Sequence, residues 1–170
     1  SAAQLVATTL DLQQPLIDKF TPTPLDQLAQ LPIDPSGLLA HTMPQSTGAE
    51  SVNDGVYDRQ GALQLEPGDP VHLEALFESV GLQQAVETGE VRVYQTPDSD
   101  SANRIVADYA RSTHPAGAGI TGMPKARCFK ETLASWCVAA ADRYAFVAQS
   151  TQETDLHQKM AAQYRMLTGT

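Results

Sequence analysis

At 170 residues and 18.2 kDa the chain is one domain by length, able to bury roughly two thirds of the surface its unfolded form exposes. Apolar residues make up 42% and charged ones 18%, so Gln, Ser, Thr, Asn and Pro must cover much of the outside. A net charge of -9 and a pI near 4.7 argue against nucleic acid or an anionic membrane surface as partners, and no apolar run is long enough to span a bilayer.

The chain opens on Ser1 without a basic or apolar leader, the start expected of a processed form or a cut piece. Residues 1–55 read as a proline-rich N-terminal segment wrapping the domain, with Pro15, Pro22, Pro24, Pro32, Pro35 and Pro44 at a density that forbids a long helix. A short helix is expected over 24–31, where Thr23 suits the N-cap, Pro24 the first helical position, and Leu25, Leu28 and Ala29 share a face. The rest of the wrap carries Leu38, Leu39 and Met43, which need a surface to lie on.

Residues 56–170 read as an α+β domain. The stretch VYDRQGALQL (56–65) predicts a strand bent at Gly61. Asp69-Pro70 then starts a helix with Leu73, Leu76, Phe77 and Val80 at i, i+3, i+4 and i+7, stopped by Gly81. A strand over 91–95 follows. A second helix opens at Pro97-Asp98-Ser99, carries Ala102, Ile105, Val106 and Tyr109 on one stripe, and ends near Ser112. Two strands, 126–130 and 136–148, are joined through 131–134. A last helix begins near Ser150, with Ser150 and Glu153 as a capping box and Leu156, Met160, Tyr164 and Leu167 on one side. This order predicts a two-layer sandwich: an antiparallel or mixed β-sheet with helices packed on it.

Between His114 and Cys128, Gly117 to Gly122 spells G-x-G-x-x-G. A dinucleotide fingerprint needs those glycines between a strand and a helix, so that phosphate meets the helix N-terminus. Here they follow a helix and precede Met123-Pro124 and the strand-like ARCFK, so the loop is a connection and no nucleotide cofactor is expected.

Cys128 and Cys137 fall on two strands of one hairpin, and pairing them sets Lys130 opposite Ser135. Both side chains then share a face, which makes a disulfide easy and implies an exported protein. Two buried cytosolic thiols are the plainer alternative. A zinc site needs further ligands, and His114 and His157 lack the spacing to supply them.

Alternation along 136–148 puts Trp136, Val138, Ala140, Tyr144 and Phe146 on one side, and Cys137, Ala139, Ala141, Arg143, Ala145 and Val147 on the other. The small side suits close approach by the wrap or a partner. Arg143, with Tyr144 beside it, is a candidate ligand or partner contact, although a solvated strand arginine is commoner.

Catalytic machinery is not legible. Four histidines give no H-E-x-x-H, no G-x-S-x-G is present, and Glu74/Glu78 and Asp98/Asp100 sit at helix surfaces or caps.

GMPKARCFKETLASWCVAAADRYAFVAQS followed by DLHQKMAAQYRMLTG resembles the end of an uncharacterised family of mycobacterial and related actinobacterial cell-envelope lipoproteins. FTPTPLDQLAQLPIDPSGLLAHTMP and VRVYQTPDSDSANRIVADYA also look like corresponding parts. The resemblance implies a longer protein with a signal peptide, a lipid-modified cysteine and an additional N-terminal domain, of which this chain looks like the C-terminal domain alone. Asp142 stands where glycine is expected before Arg-Tyr. The expectation is a non-catalytic extracytoplasmic binding or sensor-like domain whose partner is an envelope lipid, glycan or protein. Alternatives are an association scaffold whose alanine face docks a missing N-terminal domain of the same protein, or an envelope enzyme of dispersed residues, recognisable by a deep polar cleft holding a His and a carboxylate in hydrogen-bond reach.

Overall fold

In the computed structural model, which describes residues 1–45, 53–89, 91–111 and 116–169, the chain forms two compact units, Ser1–Pro32 and Ile33–Thr170. The first unit corrects the sequence reading. It holds α1 (Ala2–Lys19), an 18-residue helix capped by the Ser1 side chain, with Pro15 inside it and no buried residue. Proline density averaged over 1–55 hides that the first fourteen residues contain none. The short helix is a 3-10 helix, Leu25–Gln30; Pro24 rather than Thr23 stands at its N-cap, without a side-chain bond.

In the second unit, β1 (Gly55–Tyr57), β2 (Gln84–Glu87), β3 (Val91–Gln95), β4 (Arg127–Lys130), β5 (Ser135–Ala141) and β6 (Tyr144–Ser150) form one sheet in the order β1-β2-β3-β6-β5-β4. Every pairing is antiparallel. Its helices are α2 (Arg59–Ala62), α3 (Pro70–Ser79), α4 (Ser99–Tyr109) and α5 (Glu153–Thr168). The fold is the α+β sandwich the element order predicts. Leu73 and Phe77 of α3 and Ala102, Ile105 and Val106 of α4 pack on one sheet face with Ala85, Tyr94, Val138 and Ala145. Leu156 and Met160 of α5 cover the other face with Val86, Val93, Ala139 and Phe146, and Leu38, Leu39 and Met43 pack there too.

Four local expectations change. The 56–65 stretch is a three-residue strand and a helical turn, because the Asp58 side chain accepts from the Gly61 N–H and caps α2. Strand β2 has no clear alternation and escapes a sequence reading. The 136–148 strand is a two-residue hairpin: Ala141 pairs with Tyr144, and Asp142 takes a left-handed φ of 50°, which aspartate tolerates and glycine would adopt freely. The hairpin reverses part of the face assignment, so Tyr144 and Phe146 join Cys137, Ala139 and Ala141, while Ala145 and Val147 join Val138. The small face of β5 receives α5. Finally, Ser150 ends β6 and bonds the Gln152 N–H and the Asp155 carboxylate, so Gln152 is the N-cap of α5 and the capping box is absent. The expected end of α4 at Ser112 lies outside the described residues; α4 runs to Tyr109.

Gln163 on α5 is fully buried, which no apolar pattern announces. Its side-chain oxygen accepts from the Met43 N–H at 2.7 Å and its amide donates to the His41 carbonyl at 2.9 Å. The pair of bonds fastens 41–43 to the helix. Gln163→Leu should therefore cost about 1 to 2 kcal/mol by leaving the Met43 donor unbonded, and should raise amide exchange at 38–43 more than in α4. Uniform exchange changes would refute this local anchoring.

Candidate functional site

An open cleft of about 640 Å³ lies on the α3/α4 side of the sheet. Strand pleating builds its floor. In β3, Val91 and Val93 turn toward the α5 side, while Arg92 and Tyr94 turn the other way, and Glu87 is the register partner of Arg92 on β2. The loop after α2 brings Glu66 over them. Arg92 Nη1 donates to Glu66 Oε1 at 2.5 Å, and its Nε donates to Glu87 Oε2. The Tyr94 hydroxyl donates to the same Glu66 oxygen, with the Tyr109 hydroxyl 3.0 Å from that of Tyr94.

The side chains of Arg92, Glu66 and Glu87 are 19%, 6% and 11% exposed, so the ion pairs are shielded from water and bind more strongly than surface pairs. Burial opposes the Arg92 charge, but the oxygens of Tyr94, Glu66 and Glu87 outweigh it, and its pKa stands above the ordinary arginine value. Burial and the neighbouring Glu66 carboxylate raise the Tyr94 phenol well above its usual range. Burial, then Tyr94 and Glu66, do the same to Tyr109. Both phenols therefore remain neutral donors at physiological pH.

Trp136 forms an aromatic wall. Phe129 stacks on it with centroids 4.5 Å apart, and Tyr109 meets it at a 72° interplanar angle. The indole Nε1 is buried and has no hydrogen-bond partner among the described residues. At the rim, His72 Nε2 lies 2.9 Å from Asp108 Oδ2, and Arg111 pairs with the other Asp108 oxygen at 3.0 Å. His72 is half exposed. No Ser, Thr, Cys or Lys is among the described residues lining the cleft.

The sequence-read residues lie elsewhere. Cys128 and Cys137 are register partners and form the expected disulfide, and Lys130 faces Ser135 as the pairing requires. Arg143 and Tyr144 sit at the tip of the β5–β6 hairpin, away from the cleft lining; the Arg143 guanidinium stands 5.3 Å from the Tyr144 ring centroid and its Nη2 donates to the Tyr144 hydroxyl at 3.2 Å. The glycine loop makes a tight turn in which Ile120 bridges Met123, with no helix following it. His114 lies outside the described residues. His157 corrects the spacing argument, because its ring nitrogen and both sulfurs lie within 4.8 Å of one another. Sulfurs bonded to each other supply no thiolate, so the group as folded offers a metal one imidazole nitrogen.

Residues 38–170 match the family model described as "Domain of unknown function (DUF7373) C-terminal". The chain belongs to the DUF7373 family. Residues 1–33 match the model for the N-terminal domain of DUF7373, which corrects the expectation of a C-terminal domain alone and agrees with the division of the chain near residue 32. No curated protein and no solved structure matches this DUF7373 chain. No helix of the described residues is long and apolar enough to cross a membrane.

Proposed function

We infer that the 33–170 unit is a non-catalytic, extracytoplasmic ligand-binding domain of a cell-envelope lipoprotein, with the Arg92 cleft as its binding site. The observation that carries this reading is the cleft itself. It has the volume of small-molecule sites, about 300–1,000 Å³, an aromatic wall, and a charged network held in place before any ligand arrives. The Cys128–Cys137 disulfide favours an oxidising compartment, and the resemblance to envelope lipoproteins points the same way.

An enzyme of dispersed residues is the second reading, favoured by one observation: His72 and Asp108 stand in hydrogen-bond reach at the rim of the cleft. Such a pair can shuttle a proton. It ranks below binding because no described lining residue provides an aliphatic hydroxyl, thiol or amine nucleophile for the imidazole to activate, the Tyr109 phenol is engaged with that of Tyr94, and Asp108 is shared with Arg111. An association scaffold is the third, resting on α1, whose Leu5, Val6, Leu10, Leu16 and Ile17 are all more than half exposed.

Native mass spectrometry of the protein purified from its own host tests the first and third readings. A retained small molecule, lost after His72-independent disruption of the cleft such as Trp136→Leu, supports binding. A stoichiometric protein partner moves the weight to the scaffold, and a bare chain counts against both.

A further inference from the structure

The ligand class can be narrowed on the reading that the cleft binds a small molecule. Arg92 uses Nε and Nη1, Glu66 uses Oε1, and Glu87 uses Oε2. Among the described residues, Arg92 Nη2, Glu66 Oε2 and Glu87 Oε1 make no hydrogen bond and are not among the buried unbonded atoms, so each keeps open valence in a residue that lines the cleft. The vacant set reads acceptor, donor, acceptor. Trp136 supplies an aromatic wall beside it.

Charge and valence together exclude most ligands. Four carboxylates (Glu66, Glu87, Asp108 and Glu131) and two arginines line the cleft, so an anion is repelled. An ammonium would be drawn by the carboxylates but carries only donors, and it would meet the Arg92 guanidinium, itself only a donor, between them. A hydroxyl both donates and accepts. Neighbouring hydroxyls on one ring can accept from Nη2 while donating to the flanking carboxylates, and the apolar C–H face of the same ring can lie against an indole. Every open valence is then filled without displacing an existing ion pair.

We propose that the cleft binds a neutral carbohydrate, with a pyranose ring stacked on Trp136 and adjacent hydroxyls bonded to Glu66, Arg92 and Glu87. Binding of this kind gains from a site already ordered by the Glu–Arg–Glu triad, because no charged side chain has to be immobilised on association.

Trp136 is the chain's one tryptophan, so its emission reports the site directly. The whole chain is titrated with the methyl pyranosides and linear trisaccharides of glucose, galactose and mannose, and separately with phenyltrimethylammonium and inorganic phosphate. The expected result is a saturable emission change and a raised melting temperature with at least one saccharide and with neither ion. By calorimetry, Trp136→Leu weakens that saccharide about tenfold; because the indole also packs on Phe129, the milder Glu87→Gln serves as a second variant and weakens it comparably. If phenyltrimethylammonium or phosphate binds and no saccharide does, the carbohydrate assignment falls and the binding reading stands. If no probe binds and the host-purified protein is bare, both fall. A saccharide that binds equally well to both folded variants also overturns the assignment.

Discussion

Arg92→Met is expected to lower stability by about 3 to 5 kcal/mol, the usual cost of removing one partner from a buried ion pair. Methionine fills similar space, so the loss comes from charge rather than from a cavity. Glu66 and Glu87, only 6% and 11% exposed, would face each other's charge without the guanidinium that compensates them. Urea unfolding measures the change as a lower midpoint at constant slope. The companion variant Glu66→Leu/Glu87→Leu/Arg92→Met should return to within about 1 to 2 kcal/mol of the parent, because an apolar replacement of the whole triad removes the desolvation cost along with the attraction. A single-variant loss below about 1 kcal/mol would mean that water reaches the triad freely, and the pre-ordered site argued above would go with it.

Opening the disulfide has the next largest expected effect. Cys128→Ala/Cys137→Ala should cost about 2 to 3 kcal/mol, since the bridge closes a loop of nine residues and a short loop restrains the unfolded chain only modestly. Cys137 is fully buried under α5 and Cys128 nearly so, which adds a small packing loss in the variant. Dithiol reduction of the parent should lower the thermal midpoint nearly as far as the double variant does, because both remove one cross-link and only the variant adds the packing loss. Two reactive thiols in the folded, unreduced protein would refute the bridge and withdraw the physical support for an oxidising compartment.

The readable parts of the fold are those in which one residue type does one local job. Asp69 before Pro70, the Leu73-to-Val80 stripe and Gly81 define α3 to within a residue, and Asp98 before the Ala102-to-Tyr109 stripe defines α4. The cysteine pairing was legible for the same reason: the spacing across a short loop fixes the register, and register fixes which side chains face each other. The β5–β6 turn was not legible, because alternation continues through it and only the left-handed φ at Asp142 reverses the chain. Averaging prolines over a long stretch concealed α1, since helix breaking acts within one turn of each proline and not across fifty residues.

The amino-acid order by itself determined the class of fold, helices α3 and α4 with their N-caps, the disulfide partners, and the place of the glycine loop between α4 and β4. Only the tertiary structure decided the site. Arg92 and Tyr94 alternate with Val91 and Val93, a pattern that in an isolated strand means a solvated face; it becomes a buried polar network because α3 and α4 cover that face and a distant loop brings Glu66 onto it. Local pattern encodes which way a side chain points, whereas the polar partner it meets there depends on chain segments 26 and 15 residues away, which no periodicity records.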